Sequence, residues 1–115
     1  MLLVNWWTES RSLLLRNETP GGNWLDVQVE GTKGVNRMGI GSKVKIYAVG
    51  KIGEPAALLG CREISIGYGY CSGQEAVAHF GLGTVANVDV EITLPHGKGV
   101  FTQKNVAANQ RLTLK

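Results

Sequence analysis

The chain has 115 residues, of which 43% are hydrophobic and 18% charged. That is enough apolar material for one compact domain and too little for two. The net charge of +3 is too weak to mark a nucleic-acid binder, and no apolar run approaches the roughly 18 residues of a membrane-spanning helix.

Leu2 to Trp7 and Ser12 to Arg16 read as two short strands ahead of the turn Pro20-Gly21-Gly22. Trp6 and Trp7 are adjacent, so a strand would send them to opposite faces and expose one of them. A partner surface or a neighbouring copy is expected to cover it. The opening MLLVNWWTESRSLLL lacks a basic start, and Asn5, Glu9 and Arg11 interrupt its apolar run, so it is not read as a signal peptide. Asn17-Glu18-Thr19 matches a glycosylation sequon, but Pro20 follows it and the match is taken as chance.

Period-two alternation then takes over. Leu25, Val27 and Val29 oppose Asp26, Gln28 and Glu30. After the turn Gly31 to Gly34, Val44, Ile46 and Ala48 oppose Lys43, Lys45 and Tyr47. Ala57 to Ile66 and Glu75 to Phe80 are shorter strand candidates, separated by Gly67-Tyr68-Gly69. The longest alternation sets Ala86, Val88, Val90, Ile92 and Leu94 against Asn87, Asp89, Glu91 and Thr93. Pro95-His96-Gly97 makes a turn, Gly99 to Gln103 another strand, and Val106 to Asn109 one helical turn. Leu112 and Leu114 oppose Arg111, Thr113 and Lys115 in the last strand. The fold class is therefore all-β: a single-domain antiparallel β-sandwich or small β-barrel of about 7–9 short strands. The 16 glycines, about twice the average usage, fall mostly between strands and mark tight turns.

Several residues carry candidate chemistry. No acid stands between Glu30 and Glu54, while Lys33, Arg37, Lys43, Lys45 and Lys51 do; a solvated strand face is the simpler reading than an anion site. In Asn36-Arg37-Met38-Gly39-Ile40-Gly41, backbone amides could form an anion nest with Arg37 as a clamp. The alternative is a turn capped by Asn36, with Gly39 and Gly41 at unusual φ. His79 could be a base or ligand, or donate to a backbone carbonyl. Tyr68 and Tyr70 could stack a sugar or a single-stranded nucleic acid, or pack one ring and expose the other. Asn87, Asp89 and Glu91 lie too flat for a calcium site, which needs convergent oxygens, and are expected in solvent. Cys61 and Cys71 are read as small buried thiols, with a disulfide as the alternative. No metal, cofactor or catalytic residue emerges.

The motifs Asn23-Trp24-Leu25, Asn36-Arg37-Met38-Gly39-Ile40-Gly41-Ser42, His79-Phe80-Gly81-Leu82-Gly83, Leu94-Pro95-His96-Gly97 and Asn105-Val106 with Asn109-Gln110 occur in this order. Together they resemble the ASPIC/UnbV domain over about residues 23 to 114. Leu94 stands where that family usually has Trp, Met38 where an acid is common, and Ser42 where Ala is usual. The resemblance implies a secreted or surface setting, extracellular or periplasmic, and no established catalytic activity. Such domains usually follow FG-GAP or VCBS-type propeller repeats, and residues 1–19 resemble the last propeller strands, ahead of a β domain over 20–115. The expected function is a non-catalytic β module for protein-protein or glycan contact, with ligand contacts at Asn36, Arg37, Gly39, Gly41, Tyr68, Tyr70 and His79. Trp6 and Trp7 are the expected interface, through which the N-terminal strand would support a homo-oligomer. An anion-binding or enzymatic accessory domain using Arg37 and His79 is one alternative. A small basic barrel binding nucleic acid through the 33–51 stretch with Tyr68 and Tyr70 is another.

Overall fold

The computed structural model describes residues 1–32 and 34–115; Lys33, part of the basic stretch, lies outside the described residues. Among them the chain is all-β, with nine strands in three sheets. Strands β1 (Leu2–Leu3) and β2 (Leu13–Leu14) pair only with each other. A three-stranded sheet has the order β6 (Ala78–Gly83), β3 (Asn23–Val29), β9 (Gln110–Leu114). A four-stranded sheet has the order β5 (Leu58–Glu63), β4 (Lys43–Tyr47), β7 (Asn87–Thr93), β8 (Val100–Ala107).

The two larger sheets face each other across one core, and period-two alternation says why. On β3, Leu25 and Val27 are fully buried and Val29 nearly so, while Asp26 and Gln28 are only half-buried. Ala78, Phe80 and Leu82 of β6 join them. The opposite wall is Val44 and Ile46 of β4, Val88, Val90 and Ile92 of β7, and Val106 of β8. Each fully buried aliphatic side chain contributes about 1.5–3 kcal/mol relative to exposure. Gly60 of β5 lets the sheets close here: a Cβ there would lie 3.1 Å from the Phe80 ring.

The architecture is an open sandwich, not a barrel, because each large sheet ends on strands with a free edge. Nor is it wholly antiparallel. β3 and β9 run parallel, with Leu25 opposite Gln110 and Val29 opposite Leu114. Two elements differ from the expected ones. β6 runs on through Gly81 and Gly83, because β3 pairs with it there and supplies the missing order. The expected helical turn at 106–109 is instead the end of β8 and a tight connection into β9, with Asn109 at φ 62. Cys61 and Cys71 are both exposed and free, which corrects the reading of buried thiols: β5 is an edge strand that points Cys61 outward, and Cys71 sits on the loop after Tyr70. No helix among the described residues is long and apolar enough to cross a membrane.

Candidate functional site

The Asn36–Ser42 loop is a closed turn. The Asn36 side chain holds both polar groups of Ile40: its Oδ1 accepts from the Ile40 amide (2.9 Å) and its Nδ2 donates to the Ile40 carbonyl (2.8 Å). The Gly39 amide donates to the Asn36 carbonyl, Gly41 to Ile64 and Ser42 to Gly39. Every amide from Gly39 to Ser42 is thus spent inside the fold, and these four build no anion nest. Gly39 has φ 63, and a Cβ there would lie 2.6 Å from that of Val29; the loop lies tight on the core and only glycine fits. Arg37 lines a cleft with Gln28, Glu30, Met38 and Glu75, among others.

His79 belongs to a charged ladder across the outer face of the three-stranded sheet. Pairing sets it opposite Asp26, which in turn is opposite Arg111. His79 Nδ1 lies 2.7 Å from Asp26 Oδ1, and Arg111 Nη2 lies 3.5 Å from Asp26 Oδ2. Arg111 also forks onto Glu75, at 2.6 and 3.1 Å. Hydrogen bonding and charge attraction from Glu75, then Asp26, push the Arg111 pKa up. The histidine therefore meets a carboxylate rather than the backbone carbonyl expected for it. His79 does not line the Arg37 cleft; among the described residues Glu75 alone belongs to both that cleft and the Arg111 ladder. On the opposite sheet Lys45 pairs with Glu91 at 3.4 Å, which raises the lysine pKa.

The sequence motifs around asparagine have structural work that their spacing conceals. Asn109 Oδ1 accepts from the Trp24 amide, Asn109 Nδ2 donates to Asn23 Oδ1, and Asn23 Nδ2 donates to the Val85 carbonyl. These bonds tie the entry of β3 to the β8–β9 turn. Asp89 is 1% exposed, which overturns the expected solvent face. Its Oδ2 accepts from the Gly50 amide and its Oδ1 from the Asn105 amide, both at 2.8 Å. Asn105 stands at φ 53, where β8 bulges opposite Asp89 between the pairs Val88–Val106 and Val90–Gln103. Asp89 is a buried clamp on two chain segments. No periodicity could reveal it, because both donors are backbone groups distant in sequence.

The aromatic candidates do meet an uncovered surface. Residues 1–15 form a hairpin: the Met1 ammonium donates to the Leu15 carbonyl (2.7 Å), and the Leu15 amide to that of Met1 (2.8 Å). Leu2, Leu3, Val4, Leu13, Leu14 and Leu15 are all exposed. Trp6 and Trp7 lie in the bend rather than on a strand, and their rings meet edge to face at 6.1 Å. Trp6 is 90% exposed and Tyr70 95%. With Val4 and Cys71 they line a cleft of about 340 Å³. Tyr68 is exposed as well, so neither tyrosine ring packs away; the Ser72 hydroxyl closes their loop by donating to the Tyr68 carbonyl. The described residues contain no cluster of three or more histidine, cysteine or acidic side chains fit to hold a metal ion.

The sequence model of the ASPIC and UnbV family matches residues 31–115, and the chain belongs to that family. The matched span starts at Gly31, so Asn23-Trp24-Leu25 lies outside it although Asn23 is tied to Asn109 within it. No curated protein and no solved structure matches the chain.

Proposed function

With ASPIC and UnbV membership as the premise, we propose that the chain is a non-catalytic β module whose work is contact with another protein. One observation carries this reading: the uncovered apolar hairpin of residues 1–15 beside Tyr70. A two-stranded hairpin is marginal in water without a third strand or a packed face, and monomeric proteins rarely leave a large contiguous apolar patch exposed. Trp and Tyr are the side chains that dominate binding energy at protein interfaces. A sugar would stack on rings alone, whereas the patch here is aliphatic as much as aromatic. The charged ladder fits the same reading, since Arg111 spends its charge on Glu75 and Asp26 instead of presenting it to a substrate. Residues 1–19 act as the contact element and 20–115 as the rigid body that presents it. An extracellular or periplasmic setting is part of the same proposal, and membership of the family supports it.

In the isolated chain a second copy supplies the partner surface. Size-exclusion chromatography with light scattering tests this. The mass should rise above the 12.4 kDa monomer with concentration, and Trp6→Ser combined with Tyr70→Ser should return it to monomer. A monomer at every concentration overturns the self-association.

A further inference from the structure

Three glycines lie within strands, and the fold itself requires two of them. Gly60 sits under the Phe80 ring, and Gly83 stands at φ 58. Gly81 has neither reason. Its φ lies outside the left-handed region, and a Cβ there would meet nothing within 4 Å. Glycine weakens a strand interior, and it marks places where a ligand comes close to the backbone. Phe80 and Leu82 point into the core, so Gly81 faces outward. It leaves a bare spot on the outer face of the three-stranded sheet.

The side chains around that spot are of two kinds. Register sets Trp24 opposite Gly81 and Asp26 opposite His79. Leu25 between them is fully buried, so Trp24 and Asp26 share the outer face. Trp24 is 37% exposed, with the uncovered Gly81 backbone beside it. His79 is its diagonal neighbour, within the span of an aromatic side chain. The charges of the ladder are committed to one another: Asp26 to His79 and Arg111, and Arg111 to Glu75 as well. Its hydrogen-bonding capacity is not exhausted, because a carboxylate offers about four acceptor sites. Among the described residues, neither His79 Nε2 nor the Trp24 indole N–H has a partner.

We propose that this face binds a neutral sugar ring of a glycan. The ring lays its C–H side on Trp24 over Gly81 and turns its hydroxyls to His79 and Asp26. Two features select that ligand. An aromatic ring beside planar polar side chains matches a molecule with one apolar side and a hydroxylated edge. A hydroxyl both donates and accepts, so it satisfies the imidazole nitrogen and the spare carboxylate lone pairs together. A charged ligand would have to break an Asp26 or Arg111 pair to find its counter-charge. This surface shares no residue with the cleft at the hairpin and does not depend on the hairpin's role.

The test is titration of isotope-labelled full chain with purified neutral tetrasaccharides of glucose, mannose, galactose or N-acetylglucosamine, and with a polygalacturonate tetrasaccharide as the charged control. At least one neutral member should shift the Gly81 amide and the Trp24 indole, and the charged control should not. Trp24→Ala should weaken binding by about tenfold, as loss of a stacking ring does. Gly81→Val should weaken it by about as much while leaving the unfolding midpoint unchanged or higher, since the added side chain meets no atom and valine favours strands. Trp6→Ser with Tyr70→Ser should leave sugar binding as it is, which separates this site from the hairpin. Silence from all the neutral sugars, shifts confined to residues 1–15 and Tyr70, binding of the charged control alone, or binding indifferent to Gly81→Val would each overturn the proposal. So would self-association abolished by Gly81→Val, which would make this face a contact between copies.

Discussion

The sandwich and the hairpin use the same residue types to opposite ends. In β3, leucine and valine alternate with polar residues, and a facing sheet takes the apolar set out of water. In β1 and β2 the leucines are consecutive, Leu2-Leu3 and Leu13-Leu14, with Leu15 just after, and all five are exposed. Alternation lets one sheet face bury and the other dissolve, whereas a consecutive run needs cover on both sides. The first region buries its own apolar residues, and the proposed contact would do the same for the second. The lesson is that an apolar strand lacking alternation, at the margin of a small β domain, points to a contact.

The contrast can be broken most sharply by core truncation. Phe80→Ala should cost about 4 kcal/mol in denaturant unfolding, while Leu14→Ala should stay within roughly 0.5 kcal/mol for dilute, unassociated protein. Equal losses would mean that the hairpin is part of the cooperative unit. Next in size, Asp89→Asn should cost about 2–3 kcal/mol, since an amide presents a donor to one of two buried N–H groups that need acceptors; its thermal midpoint should fall accordingly. Smaller than either core or clamp effect, and of opposite sign, is Ser42→Ala. Ser42 is fully buried, and its Oγ has no hydrogen-bond partner among the described residues. Removing that hydroxyl should stabilise the sandwich by about 1 kcal/mol, read as a raised unfolding midpoint.

Much of the sandwich was legible because alternation is a local signal. The strand at 86–94 and the one at 25–30 are found within a residue or two of β7 and β3. Legibility fails where order comes from a distant partner. β6 extends through Gly81 and Gly83 because Trp24 and Asn23 pair with them, so glycines that read as breaks sit inside a strand. The parallel pairing of β3 with β9 leaves no mark on either sequence. Asp89 has the polar parity of a solvent residue, and its partners are the loop that brings Gly50 to it and the Asn105 bulge of β8. At the candidate site, the exposure of Trp6 was foreseeable from two adjacent tryptophans, but its reason was not: the pair lies in a bend and both rings stay outside. Asn36, Gly39 and Gly41 were visible as a motif, and the structure spends their polar groups on the turn itself. His79 was visible as a lone histidine, while its partner Asp26 could be found only through strand register.

The central claim is that the hairpin is held by contact and the sandwich by its own core. Amide hydrogen exchange measured over a range of protein concentrations tests it most directly. Protection at Leu3 and Leu15 should rise with concentration as copies associate, while Leu25 and Val27 stay equally protected throughout. Hairpin protection that is as high as that of β3 and independent of concentration would contradict the account.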